Sequence, residues 1–345
     1  MKIVITGATG RTSRFIVANL LARGVAASDL ILVSRSPERA ELAPYAAKGA
    51  ALRYCDFTDM PSVAPALAGG DRMYLMPMNH PPGMVDEAAV KSEVVAQAKS
   101  AGIRYCVYQS FIAAAGGDGS DDDLATENVL KASGMGWAIL RTGVFSESLG
   151  RECKRYIRDG RLPCNEPEAA RGYVTRDDIA AAGAELLLDE AHRGKTYNII
   201  GSTMTMVELA ALLSELSGRR IDIVPAEGRH FTGNLRPPPS ALPALIGRKP
   251  ISVEDQFRAN KQELLTGVPM GTEVKFGFQW QARGMQTRPD DIGLTMHRLY
   301  RAAREGDRAA IERFQAALAE NHARIELWRR THPEWFQWDK TTPAK

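Results

Sequence analysis

Short apolar runs alternate with amphipathic stretches through the first half of the chain, and this order predicts strands that alternate with helices. The predicted strands are Lys2–Thr6, Leu30–Ser34, Ala51–Cys55, Arg72–Met76, Arg104–Gln109 and Trp137–Arg141. The predicted helices are Ser13–Arg23, Pro37–Lys48, Ser62–Ala68, Val85–Ala101 and Leu124–Ser133. Because strands joined through helices form right-handed βαβ units, the pattern predicts a parallel sheet covered by helices on both faces.

Beyond Gly143 the pattern is looser, but local signals still mark several elements. An Ala/Leu-rich helix is predicted to follow Arg176-Asp177-Asp178-Ile179 and to reach about Leu188, with strands at Thr196–Ile200 and Ile221–Val224. Thr205 and Glu208 form a T-x-x-E capping box for a helix that reaches about Ser217. Ser252 and Asp255 resemble a second helix start, and Pro237, Pro238 and Pro239 indicate a loop.

The C-terminal stretch predicts a helical hairpin. Its first helix has apolar residues spaced 4, 3 and 4 apart, and Glu305-Gly306-Asp307 separates it from a second helix with a/d-type spacing. The apolar positions are Ile292, Met296, Leu299 and Ala303, then Ile311, Phe314, Leu318, Ile325 and Trp328. An apolar stripe of this kind packs on the protein body or on another subunit, so a homodimer through these helices is one expectation.

The segment Ile3–Ser13 carries the strongest chemical signal, because a glycine loop follows a strand and opens a helix. Gly7 permits a tight turn, Gly10 lets the backbone approach a pyrophosphate, and Ser13 lets the helix pack closely. Thr9, Arg11 and Thr12 are further candidate contacts in this loop. The spacing is G-x-x-G-x-x-S, so a turn in some other α/β protein remains the alternative to a dinucleotide site.

These patterns together predict an α/β fold: a Rossmann-type doubly wound parallel sheet, a smaller substrate lobe and an added C-terminal helical hairpin. Residues 1–150, with 172–200 returning to them, are assigned to a dinucleotide-binding domain. Residues 151–171 and 201–289 are assigned to the substrate lobe, and 290–345 to the C-terminal extension.

Composition narrows the class of protein. The 345 residues include 44 basic and 41 acidic ones, a net charge of +3, which argues against nucleic acid as a partner. No apolar run reaches the length of about 18 to 20 residues that a membrane span needs, and the initial strand leaves no room for a signal peptide. The four cysteines lack CxxC spacing and fit core thiols in a reducing compartment, so we expect a cytoplasmic protein without membrane contacts.

The residue that follows the second predicted strand bears on cofactor choice. An acidic residue there would bind the ribose hydroxyls of NAD, but this chain has Arg35 within Val33-Ser34-Arg35-Ser36. A guanidinium matches a 2′-phosphate, and Arg11 could reach the same group, so NADPH is expected in preference to NADH. The alternative is that Arg35 is a solvated loop residue.

Several motifs in order resemble the NmrA-like branch of the atypical short-chain dehydrogenase/reductase family, with bacterial NAD(P)H:quinone oxidoreductases and triphenylmethane reductases as the most similar members. The resemblance covers about residues 1 to 225. Its motifs are Thr6-Gly7-Ala8-Thr9-Gly10, Val33-Ser34-Arg35-Ser36-Pro37, Cys55-Asp56-Phe57-Thr58-Asp59, Ala98-Lys99-Ser100-Ala101-Gly102-Ile103, Tyr108-Gln109-Ser110, Leu140-Arg141-Thr142-Gly143 and Tyr173-Val174-Thr175-Arg176-Asp177-Asp178-Ile179-Ala180.

The resemblance implies a set of cofactor contacts at the carboxyl ends of the strands. It places Asp56 and Phe57 by the adenine and Ser110 beside the nicotinamide. The remaining implied contacts are Met76, Pro77 and Met78 along the ribose and nicotinamide, and Thr142, Gly143, Val144 and Phe145 over the nicotinamide and substrate. Flexible filling of the core is the alternative for the two methionines.

The Tyr-x-x-x-Lys pair of the wider family is absent, since residues 118–127 contain neither tyrosine nor lysine. The acidic run there is interpreted as a solvated loop or a helix start. His80 and Ser110 are the candidate catalytic residues, although a loop histidine is the simpler interpretation of His80, and Tyr108 is interpreted as a strand residue packed by a helix. The histidines show no metal-ligand spacing, so no metal is expected.

Three functions are compatible with these observations. The favoured one is an NADPH-dependent reductase, an oxidoreductase that transfers hydride to an electron-poor conjugated or aromatic molecule such as a quinone, dye or enone. The alternative is a non-catalytic NADP-binding redox sensor that binds a protein partner. Reductive cleavage of benzylic ethers is a third possibility, but the lysine that related plant reductases use is missing.

Overall fold

The computed structural model describes residues 1–57, 59–77, 87–112, 121–226 and 236–265, together with Arg308, Ala309, Glu312, Arg313 and Ala316. Residues 1–78 and 88–266 form one compact unit, and residues 79–87 and 267–345 form a second. The five isolated residues are helical, but the rest of the predicted hairpin lies outside the described residues. Met78 and His80 lie outside them too.

The first unit alternates strands and helices in the predicted order. Its strands are β1 (Ile3–Ile5), β2 (Leu30–Ser34), β3 (Ala51–Tyr54), β4 (Arg72–Leu75), β5 (Tyr105–Phe111), β6 (Gly136–Thr142), β7 (Val144–Phe145), β8 (Arg161–Pro163), β9 (Arg171–Val174), β10 (Lys195–Ile199), β11 (Ser202–Met204) and β12 (Asp222–Val224). Its helices are α1 (Arg11–Ala22), α2 (Ala43–Ala46), α3 (Val63–Leu67), α4 (Glu87–Ser100), α5 (Asp121–Ala132), α6 (Ser146–Asp159), α7 (Arg176–Leu188), α8 (Met206–Ser217), α9 (Leu242–Ile246), α10 (Val253–Ala259) and α11 (Lys261–Leu265).

Seven of the described strands form one parallel sheet in the order β10-β6-β5-β4-β1-β2-β3. Apolar side chains on one face pack with α1 and α7, and those on the other face pack with α3, α4 and α5. The chain order reverses between β1 and β4, which is where ligands bind in open sheets of this type. The predicted doubly wound α/β fold is confirmed.

A second group of elements packs around its own apolar core. The strands β7, β9 and β11 form a small sheet, and β8 pairs with β12. Their core contains Leu149, Cys153 and Ile157 of α6 and the apolar face of α8. Phe257 of α10 is buried in the same core. No helix in the described parts of the chain is both long and apolar enough to cross a bilayer.

Several predicted elements differ from the structure, and prolines explain two of the differences. The helix predicted over Pro37–Lys48 was wrong in extent, because only a 3₁₀ turn at Ala40–Leu42 and the single turn of α2 form there. Pro44 lies in the first turn of α2, where its missing N–H is tolerated. If the helix began several residues earlier, Pro44 would lie in its interior and would break it. The helix predicted over Ser62–Ala68 is likewise shortened to α3, next to a 3₁₀ turn that contains Pro61.

Both predicted helix starts in the second half are confirmed. The hydroxyls of Thr205 and Ser252 accept the N–H groups of Glu208 and Asp255, and both form full capping boxes. In contrast, α6 was missed, although its apolar residues recur every three to four positions. The acidic run at Asp121–Asp123 is a helix start, as one of its two interpretations stated.

Candidate functional site

The loop between β1 and α1 has the backbone conformation that a phosphate-binding turn requires. Gly7 adopts a φ of +58°, a left-handed conformation that favours glycine. A Cβ at Gly10 would lie 2.9 Å from the carbonyl oxygen of Gly7, so this position has no room for a side chain. No described side chain caps the N-terminus of α1, whose first residues are Arg11 and Thr12, so its N–H groups can face an anion.

Hydrogen bonds fix this glycine loop to the ends of two strands. The Thr6 hydroxyl donates to the Tyr74 carbonyl at 3.0 Å and accepts the N–H of Met76 at 2.9 Å. The buried Ser13 hydroxyl donates to the Thr6 carbonyl at 3.0 Å, which holds α1 close to β1. A Cβ at Gly7 would lie 3.8 Å from Met76, so Met76 lies beside the loop.

A second set of contacts joins the glycine loop to the end of β2. The hydroxyls of Thr9 and Ser34 are 3.1 Å apart, and the Ser34 oxygen accepts the N–H of Ser36 at 3.1 Å. Arg35 lies between these serines and is exposed to solvent. The structure therefore brings Thr9 and Arg35 to the same edge of the sheet.

The residues that follow β3 and β4 lie at the carboxyl edge of the same sheet. Asp56 and Phe57 come just after β3, which pairs with β2, and the half-buried Phe57 packs against the sheet core. Met76 and Pro77 follow β4 and are half-buried. Each of these strands is parallel to its neighbours, so their ends meet at one edge.

Ser110 is held by a buried ionic network near the carboxyl end of β5. Its hydroxyl donates to Glu127 Oε1 at 2.7 Å, and Glu127 has no solvent exposure. Arg141 binds both carboxylate oxygens, at 2.8 and 2.6 Å, and Lys131 Nζ lies 3.1 Å from Oε2. Thr142 donates to the Ser110 carbonyl at 3.1 Å, which links the ends of β5 and β6.

The charge state of Glu127 decides what the Ser110 hydroxyl can do. Burial raises the pKa of Glu127, but hydrogen bonds from Arg141, Ser110 and Lys131 outweigh burial and hold this pKa below its usual value. An ionised carboxylate accepts hydrogen bonds only, so the Ser110 proton points to Glu127. Ser110 can then accept a hydrogen bond from a bound ligand, a geometry that favours positioning over proton donation.

Another buried polar cluster joins α4, β5 and α5. Lys91 Nζ lies 3.0 Å from the Tyr108 hydroxyl and 3.1 Å from Asp123 Oδ1, and the Tyr108 hydroxyl donates to the same carboxylate oxygen. Lys91 is only 1% exposed and Tyr108 is fully buried. A tyrosine and a lysine thus meet from separate elements, although the sequence has no Tyr-x-x-x-Lys pair.

The segment after β6 leads from the large sheet to the small one. The Gly143 N–H donates to Ile199 at 2.9 Å, and a Cβ at Gly143 would lie 3.0 Å from the Gly172 carbonyl. Val144 and Phe145 pair with β9. The buried Thr142 and this pair therefore lie where the chain leaves the carboxyl edge of the sheet.

A group of possible metal ligands lies elsewhere, at the C-terminal end of α7. The ligand atoms of Glu185, Asp189 and His192 lie within 4.8 Å of one another. Each has a protein partner, however: Glu185 pairs with Arg23, Asp189 accepts a backbone N–H, and His192 Nδ1 lies 2.7 Å from the Tyr197 hydroxyl. The group therefore does not support a metal site.

A family model described as NAD(P)H-binding matches residues 7–190, more than half of the chain. The chain belongs to this NAD(P)H-binding family. The matched region begins at Gly7, just after β1, and includes the ends of β2 to β6, where the predicted contacts of the family lie.

Named proteins of the family resemble the chain over most of its length. Quinone oxidoreductase 2 of Escherichia coli (strain K12) is 30% identical over 225 residues, 64% of this chain and 76% of that protein. The NmrA-like family domain-containing oxidoreductase flvB of Aspergillus flavus is 25% identical over 234 residues, 65% and 74% of the two chains. These relatives confirm the predicted NmrA-like affiliation.

Solved structures agree with this assignment. The NADPH-dependent quinone oxidoreductase QOR2 from Escherichia coli, complexed with NADPH, matches with a TM-score of 0.67 at 25% identity, over 74% of this chain and 99% of that one. The Citrobacter sp. triphenylmethane reductase complexed with NADP(H) also has a TM-score of 0.67, at 23% identity over 75% and 99%. The second likeness bears on the fold alone.

Sequence reasoning within the family missed the partners of Ser110 and Tyr108. Lys91 carried a signal, because it falls on the same helical face as Val94, Val95 and Ala98, where a lysine is unexpected. Glu127 carried a weaker signal in the sequence, because its contact with Arg141 depends on how α5 packs across β6.

Proposed function

We propose that this protein is an NADPH-dependent reductase of an electron-poor conjugated or aromatic molecule of the quinone, dye or enone type. The observation that carries the proposal is the tight turn at Gly7 and Gly10, which precedes the N-terminus of α1 and leaves that helix start without a side-chain cap. Quinone oxidoreductase 2 and the solved NADPH complex of a quinone oxidoreductase support the reductase assignment and the quinone class.

The residues present fit a dinucleotide with a 2′-phosphate. Gly10 leaves no space for a Cβ beside the loop, and Arg35 offers an exposed guanidinium after β2 where NAD-binding chains use an acidic residue. Asp56 and Phe57 would face the adenine, with Met76 and Pro77 along the ribose and nicotinamide. When bound, NADPH supplies the hydride.

The chain's own residues hold the reactants and handle a proton. Ser110, fixed by Glu127, would accept a hydrogen bond at the nicotinamide end, and Val144 and Phe145 would cover the acceptor. A quinone or enone gains one hydride and one proton in the overall reaction; His80, the proton donor predicted from the sequence, lies outside the described residues. No residue needs to form a covalent bond to the acceptor.

The test measures NADPH oxidation with a panel of quinones, dye cations and enones. The proposal predicts multiple turnovers with at least one acceptor class and formation of the reduced product. Tight NADP binding without turnover of any acceptor would contradict it and would favour the redox-sensor function instead.

A further inference from the structure

The first turn of α6 contains a buried hydroxyl that the structure leaves unused. Ser146 is the first residue of this helix and has no solvent exposure. Its Oγ has no hydrogen-bond partner among the described residues. A buried hydroxyl without a partner is unfavourable, because it has given up its hydrogen bonds to water without replacement. This donor is therefore available to a ligand.

Ser146 stands at the N-terminal end of α6. Side chains of an α-helix tilt toward the N-terminus, so a side chain in the first position projects beyond that end. The N-cap residue is Phe145, whose side chain cannot accept a hydrogen bond, and no described side chain caps α6. A 14-residue helix also places a partial positive charge there. These features favour the binding of an electron-rich oxygen atom at this end of α6.

The neighbouring charges do not oppose such an oxygen. Glu147 is the one acidic residue in this turn, and its carboxylate is paired with Arg176. Glu147 Oε1 accepts the Arg176 N–H at 3.0 Å, and Oε2 lies 3.1 Å from the guanidinium. The guanidinium itself lies 4.7 Å from the Phe145 ring centre. The negative charge of Glu147 is therefore balanced within the protein.

The position of Ser146 relative to the large sheet suggests which ligand carries the bound oxygen atom. Ser146 follows β6 and β7, and the end of β6 pairs with the end of β5 at Thr142 and Phe111. We propose that Ser146 and the N-terminus of α6 bind the carbonyl oxygen of the acceptor, which gains negative charge on reduction. The inference rests on the proposed reductase function and selects quinones and enones over dye cations without oxygen.

The kinetic test compares two acceptors in Ser146→Ala. With menadione, a quinone, kcat/KM should fall about a hundredfold because an oxygen-binding donor is lost. With malachite green, a triarylmethane cation without oxygen, kcat/KM should stay within about twofold of wild type, a change too small for a lost hydrogen bond. The control is Ser217→Ala, whose hydroxyl already donates to the Leu213 carbonyl at 2.6 Å; it should leave both acceptors unaffected.

A binding test does not depend on turnover. The absorbance of 4-nitrophenolate, a stable anionic oxygen ligand, is titrated against the protein with and without NADP⁺. Ser146→Ala should raise its Kd about tenfold, as expected for one charge-assisted hydrogen bond, and leave the Kd of NADP⁺ unchanged. The Tm of the variant should equal or exceed that of wild type, because an unpaired buried hydroxyl is removed.

The outcomes separate the two proposals. Unchanged menadione turnover or unchanged phenolate binding in Ser146→Ala would overturn the role of Ser146 and leave the reductase function standing. A clear fall in Tm would also overturn it, since it would show a structural partner for the hydroxyl. If wild type reduces neither acceptor, the proposed function fails, and phenolate binding alone decides whether Ser146 forms an oxygen site.

Discussion

At the scale of single residues, Glu127 shows how burial and charge together define the behaviour of a neighbouring group. The carboxylate is buried, yet three donors keep it ionised, and so Ser110 has its proton directed into the protein. The sequence names Ser110 as a candidate catalytic residue, and its bond to Glu127 leaves its oxygen free to accept a hydrogen bond from a ligand. The chemical role of Ser110 depends on Glu127 as much as on Ser110 itself.

Replacement of Glu127 by glutamine should destabilise the protein by about 2–3 kcal/mol. The change leaves Arg141 without its carboxylate, and the expected value lies at the lower end for a broken buried pair because Arg141 and Lys131 keep some contact with water. Urea unfolding measures the difference. Glu215→Gln is the control, since Glu215 pairs with Arg258 at an exposed position and its loss should leave the urea midpoint unchanged.

The same glutamate gives a pH dependence of defined sign. Its folded pKa lies below the unfolded value of about 4.3, so the unfolded chain takes up the proton first on acidification. The stability that Glu127 supplies is complete above about pH 4.3 and is lost as the pH falls toward the lowered pKa. Glu127→Gln should therefore show a shallower acid dependence of the free energy of unfolding, and an identical slope would contradict this account.

Arg35 provides the residue-scale test of cofactor choice. Arg35→Asp replaces a guanidinium that suits a 2′-phosphate with a carboxylate that repels it and can bind ribose hydroxyls. The Kd of NADPH should rise about a hundredfold or more, while that of NADH changes much less. Fluorescence titration of both dinucleotides measures the two constants, and an equal effect on both would show that Arg35 does not select the phosphate.

At the scale of elements, α7 lies so close to the sheet that one of its positions admits no side chain. A Cβ at Gly183 would lie 2.7 Å from the Tyr74 ring, whose hydroxyl donates to Gln109 in the core. Tyr74 is fully buried and cannot swing into solvent. The glycine therefore sets the distance between this helix and β4.

Gly183→Ala should destabilise the protein even though alanine is the better helix former. The gain in helix propensity is about 1 kcal/mol, whereas overpacking a filled core costs about 1–3 kcal/mol, so a net loss of up to about 2 kcal/mol is expected. Gly150→Ala is the matched control, because a Cβ there would lie 3.6 Å from the Phe257 ring, an ordinary contact. Thermal unfolding should show a lower Tm for the first variant and an equal or higher Tm for the second; a stabilised Gly183→Ala would contradict the close packing.

The elements also show where sequence patterns suffice and where they do not. The buried strands β2 and β5 and the capping box at Thr205 were predictable, because burial on both faces and local hydrogen bonds leave direct signatures in the sequence. The length of the helix within Pro37–Lys48 was not predictable from apolar periodicity, because the prolines limit helix length without changing that periodicity. The partners of Ser110 and Tyr108 come from other elements, so their contacts depend on tertiary packing.

At the scale of the whole molecule, the four cysteines are distributed among the cores and none forms a disulfide. Burial, together with the nearby carboxylates Asp56 and Asp59, raises the pKa of Cys55 to about 12. Burial likewise raises the pKa of Cys106 and, with Glu152, that of Cys153. The thiolate is the reactive form, so these thiols are poor nucleophiles in the folded state.

A chromogenic disulfide reagent should therefore detect almost no thiol in the native protein and four per chain after unfolding in guanidinium. The result matters for assays with quinones, which also react with free thiolates. Rapid labelling of one thiol in the native state would contradict the buried placement of the cysteines.

The fold and one side of the candidate site follow from the sequence, because the glycine loop, Arg35 and the strand ends are local features of βαβ units. The proposed acceptor side does not, because it combines Ser146, Glu147 and Arg176 from two helix starts that only the tertiary fold brings together. The proposed oxygen site at α6 therefore rests on the burial of Ser146 and not on a sequence motif.

The central claim is that the glycine loop holds NADPH for reduction of an acceptor such as a quinone. The most direct measurement follows NADPH consumption and hydroquinone formation together, with menadione, in wild type and in Gly10→Val, whose side chain would fill the space beside the Gly7 carbonyl. The account predicts one hydroquinone per NADPH over many turnovers in wild type and loss of both NADPH binding and turnover in the variant. Equal activity in the two proteins, or NADPH binding without any hydroquinone from wild type, would contradict it.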